Sequence, residues 1–142
     1  LAALEKDYYI IHQTGKTGID AARIHADTYE HYFPYQFIGA ELADIYACAD
    51  VVLGRAGAGT VNELDYFNIY SVFVPLRPVQ NDEQTKNAEW FLQGNDGAMI
   101  SQAECNVETV VSALDHIQID LRRDNTCEYT ENNAAQLILE NL

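Results

Sequence analysis

Positive charge is scarce in this chain of 142 residues: 8 lysines and arginines stand against 22 aspartates and glutamates, a formal net charge of −14 at neutral pH. Such a surface repels nucleic-acid phosphates and anionic lipid headgroups, and no segment concentrates basic residues, which argues against nucleic-acid binding by the chain as a whole. Cysteine is also sparse. Cys48, Cys105 and Cys127 are widely separated, odd in number and form no CxxC pair, which argues against zinc and for a reducing compartment. No apolar run approaches the roughly 18 residues of a membrane span, and the opening residues do not read as a signal peptide.

The usual catalytic signatures are lacking as well. There is no GxSxG, no HExxH and no cysteine with a histidine at motif spacing. His12, His25, His31 and His116 form no metal pattern, and no Asp-x-Asp pair offers itself to a nucleotide-bound divalent ion. No catalytic residue, metal ligand or cofactor is assigned from the residues.

What is present is a well-stocked core. Apolar residues make up 48% of the chain, enough for one compact α/β domain of this size. Short apolar runs alternate with helical patterns. Strands are expected at residues 8–12, 35–38, 51–53, 71–74 and 98–100. Helices are expected at 19–26, 42–49, 61–67, 83–92, 107–117 and 133–142, with 124–133 a polar loop. The chain begins LAALEKD without methionine, the end of an amphipathic helix, so a fragment whose amino-terminal part is missing is expected.

Strand–helix alternation with short connections implies parallel strands, right-handed crossovers and helices on both faces of the sheet. Ligands of such sheets sit at the carboxyl ends of the strands. The loops HQTGK, FIGAEL, RAGAGT and PLRPVQNDEQ each follow an expected strand and so should open at one end.

RAGAGT has two readings. Gly57 and Gly59 lack a Cβ, let ligand atoms approach the main chain and make positive φ available. A helix starting near Thr60 would offer unpaired amides carrying about half a positive charge, a seat for phosphate. Against this, Thr60-x-x-Glu63 is a capping box, each side chain satisfying the other's backbone amide. In DEQTKNA, Gln84 and Asn87 share a helix face and could hold sugar hydroxyls, or merely be solvated or cap the helix start. Four of the eight basic residues, Lys16, Arg55, Arg77 and Lys86, lie in or beside these loops and leave that end less negative. Phe37 and Ile38 could line a slot for a base, though buried strand residues look the same. His12 is expected to order the HQTG turn.

With these residues in view, the chain resembles the carboxy-terminal domain of the MurG family, glycosyltransferase family 28. The likeness runs from about Ile10 to Ile100 through HQTGK, FI followed by LADIYACAD, RAGAGTVNEL and VPL…DEQTKNA, with a weaker helical tail. It implies a GT-B enzyme whose Rossmann-like carboxy-terminal domain, residues 1–142 here, holds UDP-N-acetylglucosamine. Phe37 and Ile38 would meet the uracil, mainly through Ile38 backbone groups, and Glu63 the ribose hydroxyls. Amides near Ala58, Gly59 and Thr60 would approach the diphosphate and sugar, and Gln84 and Asn87 the hexose hydroxyls. The implied reaction is inverting transfer of N-acetylglucosamine to a lipid-linked muramoyl-pentapeptide in peptidoglycan synthesis, on the cytoplasmic face of the membrane. The acceptor, the proposed base and most membrane contact would belong to an amino-terminal domain preceding Leu1, as would a Gly-Gly-Ser loop and its strand.

Departures from the family pattern are specific. Glu83 stands where His or Gln is usual, placing a like charge near the donor. Asn68-Ile69-Tyr70-Ser71 replaces Gly-Lys-Pro after the glutamate helix, with Asn68 able to supply a left-handed exit. The segment between Ile38 and Ala49 is one residue longer than the pattern. Alternative readings are a related UDP-sugar glycosyltransferase with another acceptor, such as diacylglycerol, a two-subunit donor half, or a non-catalytic UDP-sugar-binding module.

Overall fold

The structure of the chain, a computed structural model, describes residues 2–4, 7–76 and 82–115. The expected helix at 133–142, the polar loop at 124–133, Arg77, His116 and Cys127 lie outside the described residues. Contacts divide the chain into two compact units, Leu1–Leu42 and Ala43–Leu142.

In the first unit, β1 (Ile10–Gln13) pairs in parallel with β2 (Tyr32–Tyr35) across α1 (Gly15–Ala26), with Ile10 opposite Tyr32 and Gln13 opposite Tyr35. The second strand lies earlier than the pattern at 35–38 suggests. Pro34 argues against a strand by its missing N–H, yet the position is tolerated because β2 has only β1 beside it among the described residues. Phe37 and Ile38 therefore follow the strand rather than belong to it. Helix α1 starts four residues earlier than expected, at Gly15, whose φ of +70° glycine alone adopts readily. It buries Ile19 and Ala22, three apart on one face. His12 does not order the turn after β1. Its Nδ1 lies 2.7 Å from Tyr32 Oη, tying the two strands, and partial burial lowers the imidazole pKa below its ordinary 6.5. Thr14 holds the turn, its amide donating to Tyr35 O at 2.8 Å.

The second unit is built on a parallel three-stranded sheet in the order β3 (Val51–Gly54), β4 (Tyr70–Phe73), β5 (Gly97–Met99). Around it run α2 (Leu42–Cys48), α3 (Ala58–Phe67), α4 (Glu83–Phe91) and α5 (Val107–Asp115). The expected alternation of parallel strands and helices is thus present, in two ladders rather than one. Central β4 carries Ser71, Val72 and Phe73 fully buried, the continuous burial of a strand covered on both faces. Ser71 satisfies its hydroxyl by donating to Ile69 O at 2.9 Å. Helix α4 buries Thr85, Ala88 and Phe91, and Phe91 meets Phe73 edge-on with ring centroids 5.1 Å apart. An aromatic pair of this kind adds about 1 kcal/mol to the burial itself.

Asn68 supplies the left-handed exit of α3, at φ 50° and ψ 49°. Its amide donates to Asp65 O at 3.1 Å and that of Ile69 to Leu64 O at 3.2 Å, closing a Schellman motif that returns the chain into β4. Among the described residues no helix is long and apolar enough to cross a membrane.

Candidate functional site

Parallel pairing sends the chain out of β3 and β4 at the same end of their sheet. Three side chains then lace the exits together. Arg55 Nη1 donates to Val74 O at 2.6 Å, joining the residue after β3 to the residue after β4. Asn87 Nδ2, one turn into α4, donates to Ala56 O at 3.0 Å. Gln84 Oε1 accepts from the Leu76 amide at 2.8 Å and folds the chain after β4 back against α4. RAGAGT and the start of α4, separate in sequence, are thereby brought together.

The helix after β3 begins at Ala58, three residues before the pattern places it, with Gly57 as its N-cap. This corrects the capping box. Thr60 lies inside the first turn, no side chain caps the helix, and Glu63 is exposed, with no hydrogen bond or ion pair among the described residues. The amide of Val61 is the first to close a helical bond, to Gly57 O at 2.9 Å. Those of Ala58, Gly59 and Thr60 precede it and point out of the helix start, where the macrodipole is positive.

The glycines act by absence of bulk rather than by special dihedrals. Positive φ is confined to Gly15, Asn68 and Asp82 among the described residues, so Gly57 and Gly59 do not use the conformational freedom the sequence offered. Nor does packing demand them. A Cβ at either would meet nothing within 4 Å, so both open onto free space beside the uncapped amides.

Gln84 and Asn87 are neither idle nor capping. Each spends one amide atom on the backbone, leaving Gln84 Nε2, a donor, and Asn87 Oδ1, an acceptor, without a partner among the described residues. The N-cap of α4 is Asp82, in the left-handed region at φ 54°. Its carboxylate accepts from Thr85 Oγ1 at 2.7 Å. A left-handed non-glycine residue is strained, and this one fixes where α4 begins. Glu83 is exposed in the first turn of α4, where the macrodipole favours its charge.

In the first unit, Ile38 is buried and Phe37 is 75% exposed. The Ile38 amide donates to Gln13 Oε1 at 2.8 Å, so its N–H is occupied by the residue that ends β1. One residue not singled out by the sequence gains weight. Tyr46 of α2 is buried, with its ring centroid 5.9 Å from that of Phe67 on α3. Its position inside the apolar stretch IYACA reads as core and gives no other signal. Among the described residues no group of three or more His, Cys, Asp or Glu side chains could hold a metal ion.

This arrangement — uncapped helix amides, open glycines, a free carboxylate and two half-engaged amide side chains — suits an anionic ligand that also carries hydroxyls. The sequence profile of the glycosyltransferase family 28 C-terminal domain matches residues 1–141. The chain is similar to the UDP-N-acetylglucosamine–N-acetylmuramyl-(pentapeptide) pyrophosphoryl-undecaprenol N-acetylglucosamine transferase of Aquifex aeolicus, with 31% identity over 99% of this chain and 41% of the relative. To the transferase of the same name from Vesicomyosocius okutanii it is 33% identical, over 98% of this chain and again 41% of the relative. The crystal structure of Acinetobacter baumannii MurG superimposes with a TM-score of 0.65 at 27% identity, covering 80% of this chain and 34% of that one. The chain thus spans about two-fifths of the length of these curated relatives.

Proposed function

Because the chain belongs to the glycosyltransferase family 28 C-terminal domain family, we propose that residues 1–142 are the UDP-N-acetylglucosamine-holding part of an inverting N-acetylglucosaminyltransferase of peptidoglycan synthesis. The acceptor is a lipid-linked muramoyl-pentapeptide. It is held, together with the base that activates its hydroxyl, by the part of the relatives that this chain does not span. Membrane contact on the cytoplasmic face belongs mainly to that part too, since this chain is strongly acidic.

The observation that carries the reading is the start of α3. Its uncapped amides at Ala58, Gly59 and Thr60 sit beside a loop that Asn87 reaches from α4 at 3.0 Å. In the reaction, the sugar's anomeric carbon leaves the diphosphate of UDP as the acceptor hydroxyl attacks it. Charge then builds on the departing diphosphate. Helix-start amides fixed before the reaction stabilise that charge without reorganising, the kind of contribution that is often the largest in catalysis. Glu63 accepts from the ribose hydroxyls, and Gln84 and Asn87 hold the hexose.

The test is a titration of UDP, UDP-N-acetylglucosamine and ATP into the full-length polypeptide, followed by a transfer assay with a lipid-linked muramoyl acceptor. Both uridine nucleotides should bind at least about tenfold more tightly than ATP, the difference one lost set of base contacts makes. Sugar transfer should depend on the acceptor. Equal affinity for ATP, or binding without transfer, sinks the proposal.

A second expectation concerns Gly57. Its dihedrals, φ −68° and ψ 147°, are open to any residue, and a methyl group there touches no protein atom. Gly57→Ala is therefore expected to shift stability by no more than about 1 kcal/mol, the range for an altered N-cap. UDP affinity should fall about tenfold, because the methyl group occupies the approach to the amides. A melting curve beside a UDP titration separates the two effects.

A further inference from the structure

Tyr46 is buried through its ring but not through its hydroxyl. The residue is 9% exposed. Its oxygen makes no hydrogen bond among the described residues, yet no unsatisfied polar side-chain atom is buried there, so Tyr46 Oη reaches solvent. The ring rests against Phe67, with centroids 5.9 Å apart and planes inclined at 59°. Phe67 is four residues after Glu63 on α3, and residues so spaced lie on the same helix face. Tyr46 thus packs on the face of α3 that carries Glu63. The electrostatics agree: burial raises the phenol pKa, and the Glu63 carboxylate raises it further. The phenol therefore keeps its proton at any physiological pH and is a constant donor.

An O–H donor packed on the helix face of a carboxylate narrows the choice of ligand. Phosphate would satisfy the phenol but be repelled by Glu63. A cation would satisfy Glu63 and leave the phenol without an acceptor. A hydroxyl satisfies both at once, giving its proton to the carboxylate and accepting one from the phenol, and a vicinal diol does so with two oxygens. The geometry points to Tyr46 as a second ribose-binding residue, its hydroxyl donating to the diol whose protons Glu63 accepts, so that the pair selects ribonucleotides over deoxyribonucleotides. This inference rests on the reading that Glu63 holds the ribose.

The experiment compares UDP with 2′-deoxy-UDP and 3′-deoxy-UDP in the full-length polypeptide, for wild type, Tyr46→Phe and Glu63→Gln. Tyr46→Phe keeps the ring and its packing on Phe67, and an unchanged melting temperature verifies that. Losing one neutral hydrogen bond should cost about fivefold in UDP affinity. The preference for UDP over at least one deoxy analogue should narrow by a similar factor, while affinity for that analogue barely moves. A merely structural tyrosine would lower all three affinities together. If Glu63→Gln abolishes the ribose preference and Tyr46→Phe leaves it intact, the role of Tyr46 is overturned and the Glu63 reading stands. If Glu63→Gln leaves the preference intact, or wild type binds no UDP, the underlying reading fails and this inference with it.

Discussion

Replacing Glu63 with alanine is expected to weaken UDP binding about thirty-fold while leaving the fold intact. The first half follows from charge. A carboxylate that accepts hydrogen bonds from a ribose diol makes charge-assisted contacts, and losing them costs about 2 kcal/mol. The second half follows from what Glu63 does for the protein, which is little. It is exposed, it caps nothing, and among the described residues it pairs with no cation. Alanine, moreover, is the better helix former. Calorimetric titration with UDP and a thermal melt on the same preparation check both halves. A variant that binds UDP as wild type does would remove Glu63 from the site. One that melts much earlier would restore the structural role that the sequence allowed it.

The largest expected effect on stability lies elsewhere, at Gly97. This glycine opens β5 and pairs with Ser71 in the parallel ladder. A Cβ there would overlap the Ser71 carbonyl oxygen and lie 3.0 Å from Leu92 Cδ2. The carbonyl is backbone of a fully buried strand and cannot swing aside as a side-chain tip would. Gly97→Ala must therefore push β5 from β4, the edge of the sheet that carries the site. Overpacking of this kind costs about 3 kcal/mol, roughly ten degrees of melting temperature in a chain of this size. Gly94→Ala is the control, since a Cβ at that position meets nothing within 4 Å. Similar melting of both variants would show that the contact with Ser71 does not set stability.

Much of the architecture was legible in the order of residues. Apolar runs such as VVLG and YSVF, and exits such as Asn68, are local signals, and each names its element without help from elsewhere. The ends of elements were less legible. The capping-box pattern at Thr60 and Glu63 satisfied every local rule for a helix start, yet α3 starts at Ala58. The reason is distant in sequence. Arg55 is anchored on Val74 and Ala56 on Asn87, and those two bonds fix the loop so that Gly57 becomes the N-cap. The second strand lies earlier than its apolar run suggests, because Pro34, a residue that breaks central strands, is tolerated in a strand that pairs only with β1 among the described residues.

The candidate site divides in the same way. Glycine, threonine and glutamate in RAGAGTVNE, and the amides of DEQTKNA, stood out because their chemistry suits anions and hydroxyls, although capping gave Thr60, Glu63 and the amides a structural use as well. Tyr46 did not, because a tyrosine among apolar residues usually contributes only its ring.

By itself, then, the sequence determined the strand–helix alternation, the glycine-flanked loop after the third strand and the chemical types gathered around it, since all three depend on neighbours in the chain. The tertiary structure alone decided that α3 begins uncapped, that Gln84 and Asn87 each have one amide atom without a partner among the described residues, and that the Tyr46 ring packs on α3 one turn from Glu63. Those outcomes depend on hydrogen bonds and ring contacts between residues 8 to 31 positions apart, and no local pattern encodes them.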